Sequence, residues 1–140
     1  MHKKYYLLSL ICHSVVAVSL CFPVISVSET RLNNVGNTLT DTNFLNIFQY
    51  VYNDVYTITA VLMIILGVFE ILGAMNCLYA MTKSTVERLP SKLAFIFGFS
   101  SAIMGALQVY SRSYILFVIC ASAFVLSEIC AIRLMRLEID

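Results

Sequence analysis

The sequence predicts an all-α integral membrane protein, a four-helix transmembrane bundle, and three observations carry that prediction. Hydrophobic residues make up 60% of the 140-residue chain and charged residues only 12%, with a mean hydropathy of +0.87, outside the range of ordinary water-soluble domains. Four apolar stretches approach the roughly 20 residues needed to cross a hydrocarbon core of about 30 Å. They run from Tyr5 to Ser28, Val55 to Ala80, Leu93 to Tyr110 and Tyr114 to Leu134. Lys3, Lys4, Lys83, Arg88, Lys92, Arg133 and Arg136 fall on one side of a four-span topology, leaving Arg31 and Arg112 on the other. Basic residues accumulate in short cytoplasmic loops, so both termini are expected to be cytoplasmic.

Each element has its own justification. The first span follows Lys3-Lys4 and ends near Ser26-Val27-Ser28, a pattern shared with cleaved secretory signals. Its apolar run is long for a signal, so it is read as a retained span. The outer loop, Glu29 to Asp54, opens with the turn-forming Asn33-Asn34-Val35-Gly36-Asn37. Asp41 or Thr42 then caps a short interfacial helix before the second span, with Phe44, Leu45, Phe48, Val51, Tyr52 and Val55 on one face. In the inner loop, Ser84 and Glu87 have capping-box spacing, and Pro90-Ser91 marks a stop and restart before the third span. Ser111-Arg112-Ser113 is the second outer turn. Residues 1–140 thus read as a single four-span domain.

Tyrosines support these boundaries, because an amphipathic phenol favours the headgroup level. Tyr5, Tyr6 and Tyr79 lie near the inner edge and Tyr50, Tyr52, Tyr56, Tyr110 and Tyr114 near the outer one. Small residues indicate how the helices meet, since association in lipid depends on close van der Waals approach. Ala60, Gly67 and Ala74 recur every seven residues in the second span, on the face that carries Glu70. Ala94, Gly98, Ser101, Ala102 and Gly105 line the third, and Ala123, Ser127 and Ala131 the fourth.

Glu70 and Glu128 are the main functional leads, because an ionised carboxylate near mid-membrane costs on the order of 3 kcal/mol and must be protonated, paired or wetted. Counted from the inner boundary, His13 lies roughly 12 Å deep, Glu70 roughly 15 Å, Ser101 roughly 12 Å and Glu128 roughly 9 Å. Polar groups from four helices therefore fall in one layer. Ser14 and Ser100 are at similar depth, with Ser100 facing away from the Ser101 stripe, and Asn76 extends the network inward. Two carboxyls and an imidazole are suited to relaying protons or coordinating a cation. The bland alternatives are a neutral Glu70 holding helices in register and a Glu128 that snorkels to Lys92 or Arg136. By this reckoning Glu70 is the stronger candidate for a buried functional acid.

Other chemistry finds little support. Cys12, Cys21, Cys77, Cys120 and Cys130 all fall within the expected spans, without a CxxC, and read as small buried apolar residues. Cys12 and Cys77 beside His13 make a weaker soft-metal alternative; no metal and no cofactor are expected. There is no P-loop, dinucleotide fingerprint, HExxH or nucleophile elbow. A formal net charge of +1 gives no case for a nucleic-acid partner.

The long first outer loop and very short second one resemble the outline of claudin-type tetraspans, although the tryptophan and cysteines of their outer-loop signature are absent. The run Gly67-Val68-Phe69-Glu70-Ile71-Leu72-Gly73 is similar to the Gly and Glu pattern in the second helix of DoxX-like membrane proteins, over too few residues to carry a function across. With almost no extramembrane mass, lateral helix faces are the main contact surface. The expected function is a noncatalytic subunit or accessory of a larger membrane assembly, with the lipid bilayer and either a membrane-protein partner or further copies of itself as neighbours. An oligomeric proton- or cation-conducting protein using Glu70 and Glu128 is the alternative, and a membrane-embedded enzyme the third. A cell membrane, multi-pass, and by composition a bacterial plasma membrane, is the expected location.

Overall fold

The computed structural model describes residues 2–52, 57–111 and 114–139. It is mostly helical, with α1 Lys3–Ser19, α2 Ile47–Tyr52, α3 Thr57–Thr82, α4 Arg88–Ser111 and α5 Tyr114–Ile139, plus strands β1 Ile25–Leu32 and β2 Thr38–Leu45. Three helical stretches, Ile58–Thr82, Arg88–Val109 and Tyr114–Glu138, are long and apolar enough to cross a membrane, making this a multi-pass membrane protein by length and composition. Val55, Tyr56, Arg112, Ser113 and the side chain of Tyr110, all used in the sequence reading, lie outside the described residues.

The first expected span is corrected. Helix α1 has 17 residues and stops at Ser19, nine residues short of Ser28. The cause is Pro23, which has no backbone N–H and disfavours helical geometry at Phe22 before it. At about 1.5 Å per residue, α1 reaches only about 25 Å.

The all-α expectation is corrected as well, because the segment between α1 and α2 forms an antiparallel hairpin from Ile25 paired with Leu45 to Leu32 paired with Thr38. Its turn is the Asn-rich segment singled out above. Asn33 Oδ1 accepts from the Val35 N–H at 2.7 Å, and Gly36 takes a φ of +82°, which an L side chain adopts only with strain. Only Ile25, Ser26 and Val27 at the base of β1 are buried, so most of the hairpin projects outward. Asp41 and Thr42 lie in β2 and cap nothing.

The helix expected after them begins later and is capped by Asn46. The Gln49 N–H donates to Asn46 Oδ1 at 2.9 Å and the Asn46 N–H to Gln49 Oε1 at 3.1 Å, a reciprocal capping box. The Ile47 N–H also donates to the Leu20 carbonyl at 2.8 Å, tying this corner to the end of α1. Asn46→Ala is therefore expected to cost about 1 kcal/mol locally, read as faster amide exchange across Ile47–Tyr52 while α3 to α5 keep their protection.

The turn between α3 and α4 differs in a similar way. Helix α4 starts at Arg88 rather than Leu93, placing Pro90 in its first turn, where a missing N–H costs nothing. Ser84 does not cap it.

Helix α1 packs on α3 and α5, and α4 packs on the same two, so the four longer helices close a ring. Their interior holds two apolar clusters. One joins Val16, Leu20, Ile25, Val27, Met63, Leu66, Met104 and Leu116, and the other Tyr6, Cys77, Ala80, Ala94, Ala131 and Leu134. Tyr6 and Tyr50 are buried against neighbouring elements, whereas Tyr52, Tyr79 and Tyr114 are exposed. Cys21 is exposed beyond the end of α1 rather than inside a span.

Candidate functional site

Between the two apolar clusters, in sequence order on every helix, lies a polar layer made of His13 on α1, Glu70 on α3, Ser100 and Ser101 on α4, and Ser127 and Glu128 on α5. All six are buried. Helical repeat accounts for the placement of Glu70: Ala60, Met63, Leu66, Glu70, Gly73, Cys77 and Ala80 recur at three- and four-residue spacing and form the buried face of α3.

Glu70 is the centre of this layer. Its Oε2 lies 2.6 Å from His13 Nδ1, with both side chains 0% exposed. Its Oε1 accepts from Ser100 Oγ at 2.5 Å and Ser101 Oγ at 2.6 Å. Ser100 Oγ also lies 2.7 Å from the Phe97 carbonyl, and its single proton serves one acceptor at a time. When that proton turns to Phe97, a proton on Glu70 makes the remaining contact, so the cluster accommodates either protonation state of the acid. The interaction with His13 is likewise neutral in sum as imidazolium with carboxylate or as imidazole with carboxylic acid.

Ser100 was expected to face away, yet it binds Glu70 beside Ser101. Because α4 packs on α3 and α5 together, residues about 100° apart on the helix share one wide buried face. The adjacent pair Ser100-Ser101 was the available signal.

Two glycines make room for the ionisable groups. A Cβ on Gly73 would lie 2.8–3.0 Å from three atoms of the His13 ring, so only glycine lets the imidazole lie flat on α3. A Cβ on Gly98 would overlap Glu128 Oε1, so α4 and α5 close around that carboxyl only because Gly98 has no side chain. Gly98 was expected in the packing stripe; Gly73 was not. Of the other packing candidates, a Cβ on Gly67 would meet only the tip of Leu20, one on Gly105 would lie 3.2 Å from Cys120 Cβ, and Ala74 is half-buried at the edge of the interior face.

Glu128 differs from Glu70 in its partners. Its Oε1 is buried without a hydrogen-bond partner among the described residues, as is His13 Nε2. The expected pairing with Lys92 or Arg136 does not form, and both cations are exposed. Ion pairs at that end of the bundle are made instead by Glu138, which meets Arg88 at 3.5 Å and accepts from Ser91 Oγ at 2.7 Å, and by Glu87, which meets Lys83 at 3.3 Å. Asn76 is not part of the layer: its Nδ2 donates to the Pro90 carbonyl at 3.0 Å, fastening α3 to the first turn of α4. Ser14 lines an apolar groove on the outside of α1 with Leu10, Ile11, Val15, Val18, Ser19 and Phe22. Among the described residues, no three His, Cys, Asp or Glu side chains are grouped to hold a metal ion.

Comparison of the chain with family models, curated proteins and solved structures found no match.

Proposed function

We propose that this chain is a noncatalytic membrane protein that serves as a subunit or accessory of a larger membrane assembly, docking through the lateral faces of its helices. The observation that carries this reading is the use made of Glu70. Both its oxygens are occupied by side chains from α1 and α4, so its chemistry is spent on holding helices in register rather than on a substrate.

In this reading four helices cross the bilayer as a transmembrane bundle, with both termini cytoplasmic, in a cell membrane of bacterial type. The short α1 crosses with the help of the segment after it. Leu20, Ile25 and Val27 lie in the same apolar cluster as Met63 and Met104, and non-helical backbone is tolerated at membrane depth where protein covers it. Helix α2, with Phe48 and Tyr52 turned outward, rests in the outer interface. The apolar groove on α1, about 530 Å³, is the lateral site suited to a helix of the partner protein.

The test places a photo-crosslinking amino acid at Val15 or Val18, in that groove, in cells carrying the full chain. A discrete adduct with another membrane polypeptide is expected at these positions and not at exposed Ile129 on α5. Adducts with lipid alone at every position would overturn the assembly reading.

A further inference from the structure

Beyond its buried base, the hairpin has strand edges that no other described strand pairs with. Along β1, Ser28, Thr30, Arg31 and Leu32 are exposed and Glu29 is half-buried. The Asn33 N–H donates to the Asn37 carbonyl at 2.9 Å, which fixes the phase of the ladder between the two strands. Odd-numbered residues of β1 therefore spend their backbone groups on β2, while Ser28, Thr30 and Leu32 turn theirs to the free edge. Such an edge is a template for another strand, and a two-stranded sheet standing clear of its helices is only marginally stable in water.

The side chains say which strand the β1 edge accepts. Glu29 and Arg31 lie two residues apart on one face and meet at 2.9 Å, with Asp41 directly across from Glu29 and Leu39 across from Arg31. A second copy of β1 laid antiparallel along this edge must pair even-numbered residues with even-numbered ones, because those carry the free backbone groups. A two-fold axis at Glu29 or at Arg31 sets that residue against its own copy, and like charges directly opposite destabilise a sheet. An axis at Thr30 sets Glu29 of each copy against Arg31 of the other, in the non-hydrogen-bonded pairs where side chains come closest. It also pairs Ser28 with Leu32, so all three edge-facing residues find a partner. Asp41 is the one charged residue of β2, so no register of β2 against its own copy brings opposite charges together.

We propose that the β1 edge binds a second copy of this chain, the two strands pairing antiparallel through residues 28–32 about a two-fold axis at Thr30. The product is a continuous four-stranded sheet with the two β1 strands at its centre. About six main-chain hydrogen bonds supply the attraction. The two reciprocal Glu29–Arg31 pairs select the register and the partner. Within one copy the same ion pair is solvated, its side chains 37% and 74% exposed, and contributes little to stability, so both groups are free to exchange partners. This interface lies outside the helices and is independent of lateral docking in the membrane.

The test uses the full chain in detergent micelles, where copies meet free of the orientation that one bilayer imposes. In a background with the exposed Cys21 replaced by serine, Thr30→Cys is expected to form an interchain disulfide on mild oxidation. Its Cα atoms in the paired strands lie about 5.5 Å apart, within disulfide reach. Thr40→Cys on β2 is expected to stay reduced. Glu29→Arg and Arg31→Glu, each alone, are expected to weaken dimerisation about tenfold by sedimentation. Mixing the two variants is expected to restore it, because one then presents only cations and the other only anions. A parent that stays monomeric, a disulfide at Thr40 as strong as at Thr30, or a mixture no better associated than either charge variant alone overturns the proposal. The photo-adduct at Val15 or Val18 is expected to persist in Glu29→Arg, so the dimer and the lateral assembly fail separately.

Discussion

Replacing Glu70 by alanine is expected to destabilise the protein by about 3–5 kcal/mol, the cost typical of breaking a buried charged contact from one side. The loss falls on groups that have no substitute. Among the described residues, His13 Nδ1 loses its one partner while Nε2 already lacks one, leaving a fully buried imidazole unsatisfied at both nitrogens. The Ser101 hydroxyl loses its acceptor, whereas Ser100 keeps the Phe97 carbonyl. Glu70→Gln is the informative companion. Its amide oxygen still accepts from the serines and its NH₂ donates to Nδ1 of a neutral imidazole, so the expected cost falls to about 1–2 kcal/mol. Unfolding in mixed micelles, followed by helicity, checks both. An alanine variant within about 1 kcal/mol of the parent would remove Glu70 from the structural centre of the layer.

The second large effect is expected at Gly73. In Gly73→Ala the new methyl meets Cε1, Nε2 and Nδ1 of His13 at 2.8–3.0 Å, atoms of a rigid ring already held by Glu70. Either α1 moves away from α3 or the ring turns and gives up its 2.6 Å contact. Overpacking of this kind costs about 1–3 kcal/mol. Gly67→Ala is the control on the same helix. There the methyl meets only Leu20 Cδ1 at 3.3 Å, the end of a flexible side chain, and alanine is the better helix former by about 1 kcal/mol. The pair is therefore expected to move in different directions, Gly73→Ala losing stability and Gly67→Ala holding or gaining it. Equal effects would mean that the α1–α3 contact does not depend on the imidazole.

These two glycines also show where periodicity stops being informative. Gly67 stands out in the sequence because it falls midway between Ala60 and Ala74, yet it is only half-buried. Gly73 falls outside that seven-residue series and is nonetheless the glycine on which the His13 ring rests. Small residues mark a face that is able to pack closely; they do not say which side chain of another helix will fill the space. The same limit applies to Glu128. Its position suggested a pair with Lys92 or Arg136 at the inner surface, but those cations are exposed, and α5 turns Glu128 against Gly98. The hairpin was missed for a different reason. Ile25 to Ser28 continues the apolar run of the first span, and an Asn-Gly turn fits a loop as well as a hairpin, so only Pro23 marked the break.

Composition alone dictated apolar helices that satisfy their own backbone hydrogen bonds, and hence the approximate extents of the last three spans, because chain atoms in lipid have no water to bond with. It also dictated that His13, Glu70, Ser101 and Glu128 fall within apolar helices, because 1.5 Å of rise per residue relates sequence position to depth. Depth says nothing about azimuth. Which polar atom faces which was decided only when four helices packed together: Ser100 turned onto Glu70, Asn76 away to Pro90, and Glu128 against Gly98 with one oxygen unpartnered among the described residues. Those relations depend on the rotation of each helix about its axis, and that rotation is set by contacts between segments far apart in the chain.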